Sequence, residues 1–206
     1  MSDVFVPYKN YDHIKKLASD FLHKYHPRDI FPTPIEEIIE LKLNIDIIPI
    51  PGLHEILEVD GFISADLSSI SVDEYVYKHR HGRYRFTLAH ETGHAVMHEA
   101  VYRYRGFNTT GDWKDFMEAF PEDEWSWLEW QANQFAGLVL VPSHHLEKRL
   151  KYHSKQIRAL GIKNDDVIMD RVVELLAQDF VVSREVILRR IDKDAKIARF
   201  TTKPPE

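Results

Sequence analysis

Apolar residues recur at helical spacing in the N-terminal part of the chain. Between residues 11 and 26 this spacing predicts an amphipathic helix that ends before Pro27. Its apolar positions are Ile14, Leu17, Phe21 and Leu22. A second helix is predicted over 33–42, with Thr33 as the N-cap, a proline at the first helical position and Glu36 completing a capping box.

The pattern then changes to short alternating segments. Residues 44–50 (NIDIIPI) are rich in β-branched side chains and predict a strand. The pair Asp60-Gly61 is typical of a hairpin turn, here between HEILEV and GFISADL. Ser68-Ser69 separates that segment from ISVD. Up to residue 73 we therefore expect two helices followed by a small, mostly antiparallel sheet.

The remainder of the chain is predominantly helical in pattern. Residues 85–98 form an apolar helix, whereas 107–122 have loop character with a short helix near 113–120. A long helix over 123–141 ends at Pro142, and Ser143 caps the next. Two more helices follow, the second capped by Ser183, and the tail 201–206 is expected to fray. The pattern predicts an α+β fold, with one domain over 1–146 and a helical region over 147–206.

Composition limits the available chemistry. The 206 residues include no cysteine, so disulfides and thiolate metal sites are excluded, and any metal must be held by His, Asp or Glu. A formal charge of −6 argues against nucleic-acid binding through bulk charge. The N-terminus lacks the features of a signal peptide, and no run approaches the roughly 18 apolar residues of a membrane span. We expect a soluble cytoplasmic protein.

The stretch RFTLAHETGHAVMH contains the pattern H-E-x-x-H at His90, Glu91 and His94. Histidines four apart on a helix lie about 40° apart around its axis and about 6 Å along it, so both rings reach one ion. Glu91 is placed to act as a general base. Buried structural histidines are the alternative. The apolar helix around them favours ligands, because unpaired imidazoles are costly to bury.

A third ligand must come from elsewhere in the chain. His98 lies about 12 Å along the helix from His90, too far to share an ion, so it supports the site, faces substrate or is structural. Glu129 is the better candidate, because it shares a helical stripe with alanines and not with the polar Gln131 side. Asn133, one turn later, is suited to accept a hydrogen bond from a ligand imidazole. The alternative is a solvent-facing Glu129.

Two imidazoles, one carboxylate and an open position describe a hydrolytic zinc site, although manganese or iron are alternatives. The chain resembles the ImmA/IrrE metallopeptidase family, through residues 85–98 and 129–142 and more weakly through DGFI at 60–63. The resemblance implies a zincin-like core with zinc on His90, His94 and Glu129, and Glu91 as acid/base. Thr92 departs from the aliphatic residue usual in the family.

The resemblance also implies a substrate class. Family members are typically cytoplasmic proteases that cleave a helix-turn-helix repressor and so release stress or mobile-element genes, and some are toxin-like partners of such repressors. Two alternatives remain. One is a non-proteolytic regulator that binds a repressor or DNA through its C-terminal helices, and the other, weaker one is a small-molecule metallohydrolase.

Three further features of the sequence bear on function. Residues 107–146 are strongly acidic, and an acidic surface attracts basic peptides, although a solvated loop is the simpler explanation. The segment 175–191 is similar to a helix-turn-helix, with Arg184, Arg189 and Arg190 on its second helix. Packing or partner recognition is favoured there over direct DNA binding. The sequence leaves six candidates for oxyanion stabilisation: Tyr75, Tyr77, Arg83, Arg85, His144 and His145.

Overall fold

The computed structural model describes residues 6–105, 110–118 and 120–194, which form a mixed α+β structure with a small sheet packed on helices. The helices before and around the sheet are α1 (Tyr11–Tyr25), α2 (Ile35–Ile38), α3 (Leu53–Leu57) and α4 (Glu74–His79). The later helices are α5 (His81–Met97), α6 (Glu99–Arg105), α7 (Thr110–Glu118), α8 (Glu122–Leu140), α9 (Ser143–Ala159), α10 (Asp165–Phe180) and α11 (Arg184–Lys193). None of the helices in the described ranges is long and apolar enough to cross a membrane.

The sheet has three strands, β1 (Asp46–Ile50), β2 (Gly61–Ile63) and β3 (Ser69–Asp73), in the order β1-β3-β2. Strand β1 runs parallel to β3, and β2 runs antiparallel to it. The sheet is therefore mixed, and the prediction of a mostly antiparallel sheet was wrong in this respect. The long connection that a parallel pair requires holds α3 and β2.

The predicted hairpin at Asp60-Gly61 was also wrong. The segment before it forms α3, whose Leu53 and Leu57 lie one helical turn apart and are both buried. The antiparallel pair is β2–β3, and its turn is held by Asp66, which accepts hydrogen bonds from Ser64 and Ser68. A short apolar run does not distinguish a helical turn from a strand by periodicity, because both patterns fit a few residues.

Two predicted caps make long-range contacts instead. Thr33 Oγ1 donates to the carbonyl oxygen of Val139 at 3.0 Å, and Glu36 accepts from the Tyr84 hydroxyl at 2.9 Å, so no capping box forms. Pro34 is the N-cap of α2, which continues into a π-helical turn, Ile39–Leu43. Ser143 is the first helical residue of α9, with its hydroxyl bonded to Arg190.

Other helix boundaries agree closely with the sequence. The helix predicted over 11–26 is α1, and Ser183 caps α11 through the backbone amide of Val186. The basic segment ahead of residue 85 is helical as well, since it forms α4 and the start of α5. The short helix expected near 113–120 is α7. The loop expected at 107–109 and the tail 201–206 lie outside the described residues.

Helices α5 and α8 pack closely against each other. A Cβ on Gly93 would lie 3.2 Å from Phe135 Cδ1 and 3.3 Å from both Cα and the carbonyl oxygen of Ala132. Ala132 and Ala136 on the facing side of α8 are fully buried. The mid-helix glycine and the two alanines therefore allow the two backbones to approach closely.

Replacing Gly93 by Leu is expected to lower the free energy of unfolding by about 1–3 kcal/mol, since the added side chain must push α8 away from α5. Chemical denaturation measures the change. The control is Val96→Leu, which enlarges a more exposed residue of the same helix. If the Gly93→Leu protein were as stable as this control, α5 and α8 would not need to approach so closely.

Candidate metal centre

Helices α5 and α8 bring together three side chains that are distant in sequence. His90 Nε2 lies 3.1 Å from Glu129 Oε2, and His94 Nε2 lies 3.3 Å from Glu129 Oε1. The two Nε2 atoms are 2.9 Å apart. Glu129 therefore points at the histidine pair and does not face bulk solvent, which was the alternative. Its side chain is 30% exposed, because it lines a cavity that opens to solvent.

The donor set fits a divalent metal ion. A tetrahedral ion with bonds of about 2.1 Å places its ligand atoms about 3.4 Å from one another. The three separations observed here, between 2.9 and 3.3 Å, are close to that value. Two imidazoles and one carboxylate would leave one position of such an ion open to a reactant.

The far nitrogen of each histidine has a partner. His90 Nδ1 lies 3.2 Å from Asn133 Oδ1, and because an amide oxygen only accepts, Nδ1 donates to it and Nε2 is the nitrogen that faces Glu129. His94 Nδ1 lies 3.1 Å from His98 Nδ1. His98 is buried, and burial lowers its pKa to about 2, so it is neutral near pH 7 and can accept this hydrogen bond.

Gln131 extends this buried group, and sequence reasoning misplaced it. Its side chain is fully buried beside His98 and does not form part of a polar outer face of α8. Helix α8 is covered on several sides, so a polar residue there is not evidence of exposure. The Gln131 amide and the His98 imidazole thus form a buried polar group behind His94, whose side chain is only 1% exposed.

Glu91 is held beside the histidine pair by the sheet. Its Oε2 accepts a hydrogen bond from the backbone amide of Ile63, the last residue of β2, at 2.9 Å. Burial and, less strongly, the charge of Glu129 raise the pKa of Glu91 to about 8, with His90 acting in the opposite direction. The DGFI segment therefore positions this carboxyl group. Gly61 permits it, since a Cβ there would lie 2.7 Å from Ser71 O and from Thr87 Cγ2.

The charges of the three clustered groups depend on each other. Burial acts to raise the pKa of Glu129, but the facing imidazoles outweigh it and hold that pKa below its ordinary value. Burial also acts to lower the pKa of His90, yet Glu129 raises it to about 9. For His94, burial prevails and the pKa is lowered. Glu129 is thus ionised at neutral pH, as a metal-binding carboxylate must be.

A cavity of about 260 Å³ opens onto these groups. Its apolar walls include Phe86, Trp113, Met117 and Trp125. Tyr102, which sequence reasoning missed, lies on the wall with its ring centroid 5.3 Å from that of His94. A signal was available, since Tyr102 continues the four-residue spacing of His90, His94 and His98. Burial, together with the charges of Glu91 and Glu129, raises its pKa well above 10, so its hydroxyl stays protonated.

The family model described as peptidase M78, IrrE N-terminal-like domain, matches residues 75–192, more than half of the sequence. The chain belongs to this family. The residues clustered around the histidine pair lie inside the matched range: His90, Glu91, His94, His98, Glu129 and Asn133. The segment that holds Glu91, with Ile63, lies before that range. No match was found among curated proteins.

Membership of the IrrE-like peptidase family implies a metallopeptidase-type function, with a metal cofactor and a protein substrate. The six oxyanion candidates named from sequence are not among the residues that line the described cavity of this IrrE-like chain. Arg83 pairs with Asp60 at its rim, and Arg85 donates to the carbonyl of Thr33. Tyr75 and Tyr77 are exposed, and His144 and His145 contact Asp29 from the first turn of α9.

The three arginines of α11 all have partners within this IrrE-like chain. Arg184 and Arg189 form ion pairs with Asp170 and Glu185. Arg190 is buried and donates to Val141 O, Tyr11 and Ser143. The contacts of Arg184 and Arg190 join α11 to other elements, and the partners of all three arginines offset their positive charge towards a phosphate backbone.

Proposed function

We propose that the chain is a zinc-dependent endopeptidase, with the ion on His90, His94 and Glu129 and with Glu91 as the acid/base. The observation that supports this best is the convergence of two Nε2 atoms and one carboxylate within 3.3 Å, beside a carboxyl group whose pKa is raised to about 8. Zinc is favoured over manganese or iron because two imidazoles and one carboxylate suit its tetrahedral geometry.

Zinc held there would supply Lewis acidity towards the scissile carbonyl group and towards water. Glu91 accepts a proton from the attacking water and later donates it to the leaving amide nitrogen. Its position is maintained by the Ile63 amide, which allows one carboxylate oxygen to stay bonded while the other exchanges the proton. The positive charge of a bound ion would oppose the effect of burial and allow Glu91 to ionise near neutral pH.

Tyr102 is the candidate for stabilising the oxyanion. It lines the cavity beside Glu91 and Glu129, whose charges keep its phenol protonated. A protonated phenol can donate a hydrogen bond to the negative oxygen that develops on the scissile carbonyl. Asn133 and His98 contact the Nδ1 atoms of the two imidazoles, which would leave each Nε2 to bind the ion.

The substrate we propose is a helix-turn-helix repressor, whose cleavage in the cytoplasm releases stress or mobile-element genes. DNA-binding proteins are basic, and exposed acidic residues adjoin the cavity: Asp112 and Asp115 on α7, and Glu122 and Asp123 at the start of α8. The same two helices carry the apolar wall of Trp113, Met117 and Trp125. Residues 1–146 would form the peptidase domain and 147–206 a helical extension that contributes to partner recognition.

Cleavage of a natural partner tests this function. The purified protein, loaded with one equivalent of zinc, is incubated with the helix-turn-helix repressor encoded beside its gene, and products are identified by mass spectrometry. We expect cleavage at one or a few bonds, loss of cleavage after chelation and recovery on adding zinc back. An unrelated helix-turn-helix protein serves as the control. A repressor that binds tightly but stays intact with zinc present would instead favour the non-proteolytic regulator.

A further inference from the structure

A second group of potential metal ligands lies where the loop after α1 meets the start of α9. His144 Nε2 is 2.9 Å from Asp29 Oδ2, and His145 Nε2 is 3.0 Å from Asp29 Oδ1. One ligand atom from each of the three residues lies within 4.8 Å of the other two. Within the described ranges, this is the only such group of three apart from the one at Glu129.

The arrangement repeats the chemistry of the first centre. Each imidazole presents Nε2 to a different oxygen of one carboxylate, as His90 and His94 do to Glu129. The separations of 2.9 and 3.0 Å are close to the roughly 3.4 Å between the ligand atoms of a tetrahedral zinc ion. With no cysteine in the chain, imidazole and carboxylate are the strongest zinc ligands that it contains.

Packing orients the three side chains before any ligand binds. His145 is 18% exposed, and its ring lies 5.2 Å from that of Phe31, which in turn packs edge-on against Phe180. The amide of Asp29 donates to the carbonyl of His26, fixing the loop where the carboxylate projects. His144 lies beside His145, with ring centroids 4.2 Å apart. Asp29 and His144 are more than half exposed, so an ion and its remaining water ligands can enter from solvent.

We propose that Asp29, His144 and His145 form a second divalent-metal site, with zinc as the preferred ion. It is separate from the proposed catalytic centre, because the stretch of α8 from Glu129 to Leu140 alone spans about 16 Å. An ion there joins the loop after α1 to the first turn of α9. It therefore fastens the C-terminal helices to the N-terminal part of the chain, next to the hydrogen bond from Thr33 to Val139.

Zinc stoichiometry tests this site without reference to activity. The full chain, stripped of metal, is titrated with zinc alone in a calorimeter, and bound metal is counted by elemental analysis. Wild type is expected to bind two equivalents, and His144→Ala/His145→Ala one. His90→Ala/Glu129→Gln is also expected to bind one, and zinc should still raise its melting temperature. Removing both pairs together should abolish the binding and the shift. The matched control, His13→Ala, removes an exposed histidine that belongs to neither group. It should still bind two equivalents of zinc.

Two results would overturn the second site: a folded His90→Ala/Glu129→Gln protein that binds none, or a His144→Ala/His145→Ala protein that binds as many equivalents as wild type. If this variant does not fold, Asp29→Asn replaces it, since asparagine tolerates the left-handed backbone at that position, φ 49°, but is a poor zinc ligand. Two equivalents retained by folded Asp29→Asn would overturn the site, whereas one equivalent with an unchanged circular dichroism spectrum would support it.

Discussion

Replacing Glu91 by Gln is expected to lower kcat for repressor cleavage by about 10³-fold while zinc still binds with wild-type stoichiometry. The two side chains have the same shape, so the amide oxygen can continue to accept the hydrogen bond from Ile63. An amide accepts no proton from water at neutral pH, so the acid/base step is lost. Because Glu91 is not among the three clustered ligands, the metal should remain.

Glu40→Gln is the matched control for that experiment. It makes the same chemical change at an exposed position in the π-helical turn, away from the cavity, and should cleave at the wild-type rate. Full cleavage by Glu91→Gln would exclude Glu91 from the reaction. Loss of zinc in that variant would show instead that Glu91 contributes to metal binding.

The second large effect is expected at Glu129. Its replacement by Gln should weaken zinc binding by more than the roughly 100-fold that follows when only a supporting partner of a ligand is lost. Glu129 contacts both Nε2 atoms, and it is the ligand that we propose on α8. The neutral variant would therefore leave only two imidazoles, both on α5, to hold the ion. Zinc affinity is measured by competition with a chromophoric chelator, and cleavage should be lost in parallel.

Glu124→Gln provides the comparison on the same helix, because it removes one carboxylate from the first turn of α8 without reaching the histidine pair. Zinc affinity should be unchanged there. If Glu129→Gln bound zinc as tightly as wild type, the carboxylate would not be a ligand, and the proposed centre would have to be rebuilt from other residues.

Local patterns of the sequence determined a large part of the geometry of the candidate site. The four-residue spacing placed His90 and His94 on one face of α5, because an α-helix turns once in 3.6 residues. The alanines around Glu129 indicated that this face of α8 packs inward, and Glu129 and Asn133 do face the histidines. The absence of cysteine restricted any metal to imidazole and carboxylate ligands. These inferences rest on helical geometry and composition, which act within a short stretch of chain.

Tertiary structure alone decided the features that join distant segments. Thr33 and Ser143 carry good capping side chains, yet both bond to groups more than 40 residues away. Packing between elements likewise sets three other features. These are the hydrogen bond from Ile63 to Glu91, the position of Tyr102 on the cavity wall, and the contact of Asp29 with the start of α9. A buried polar group must find a partner, and several partners compete for it. Which one it reaches is set by the folded arrangement and not by its neighbours in sequence.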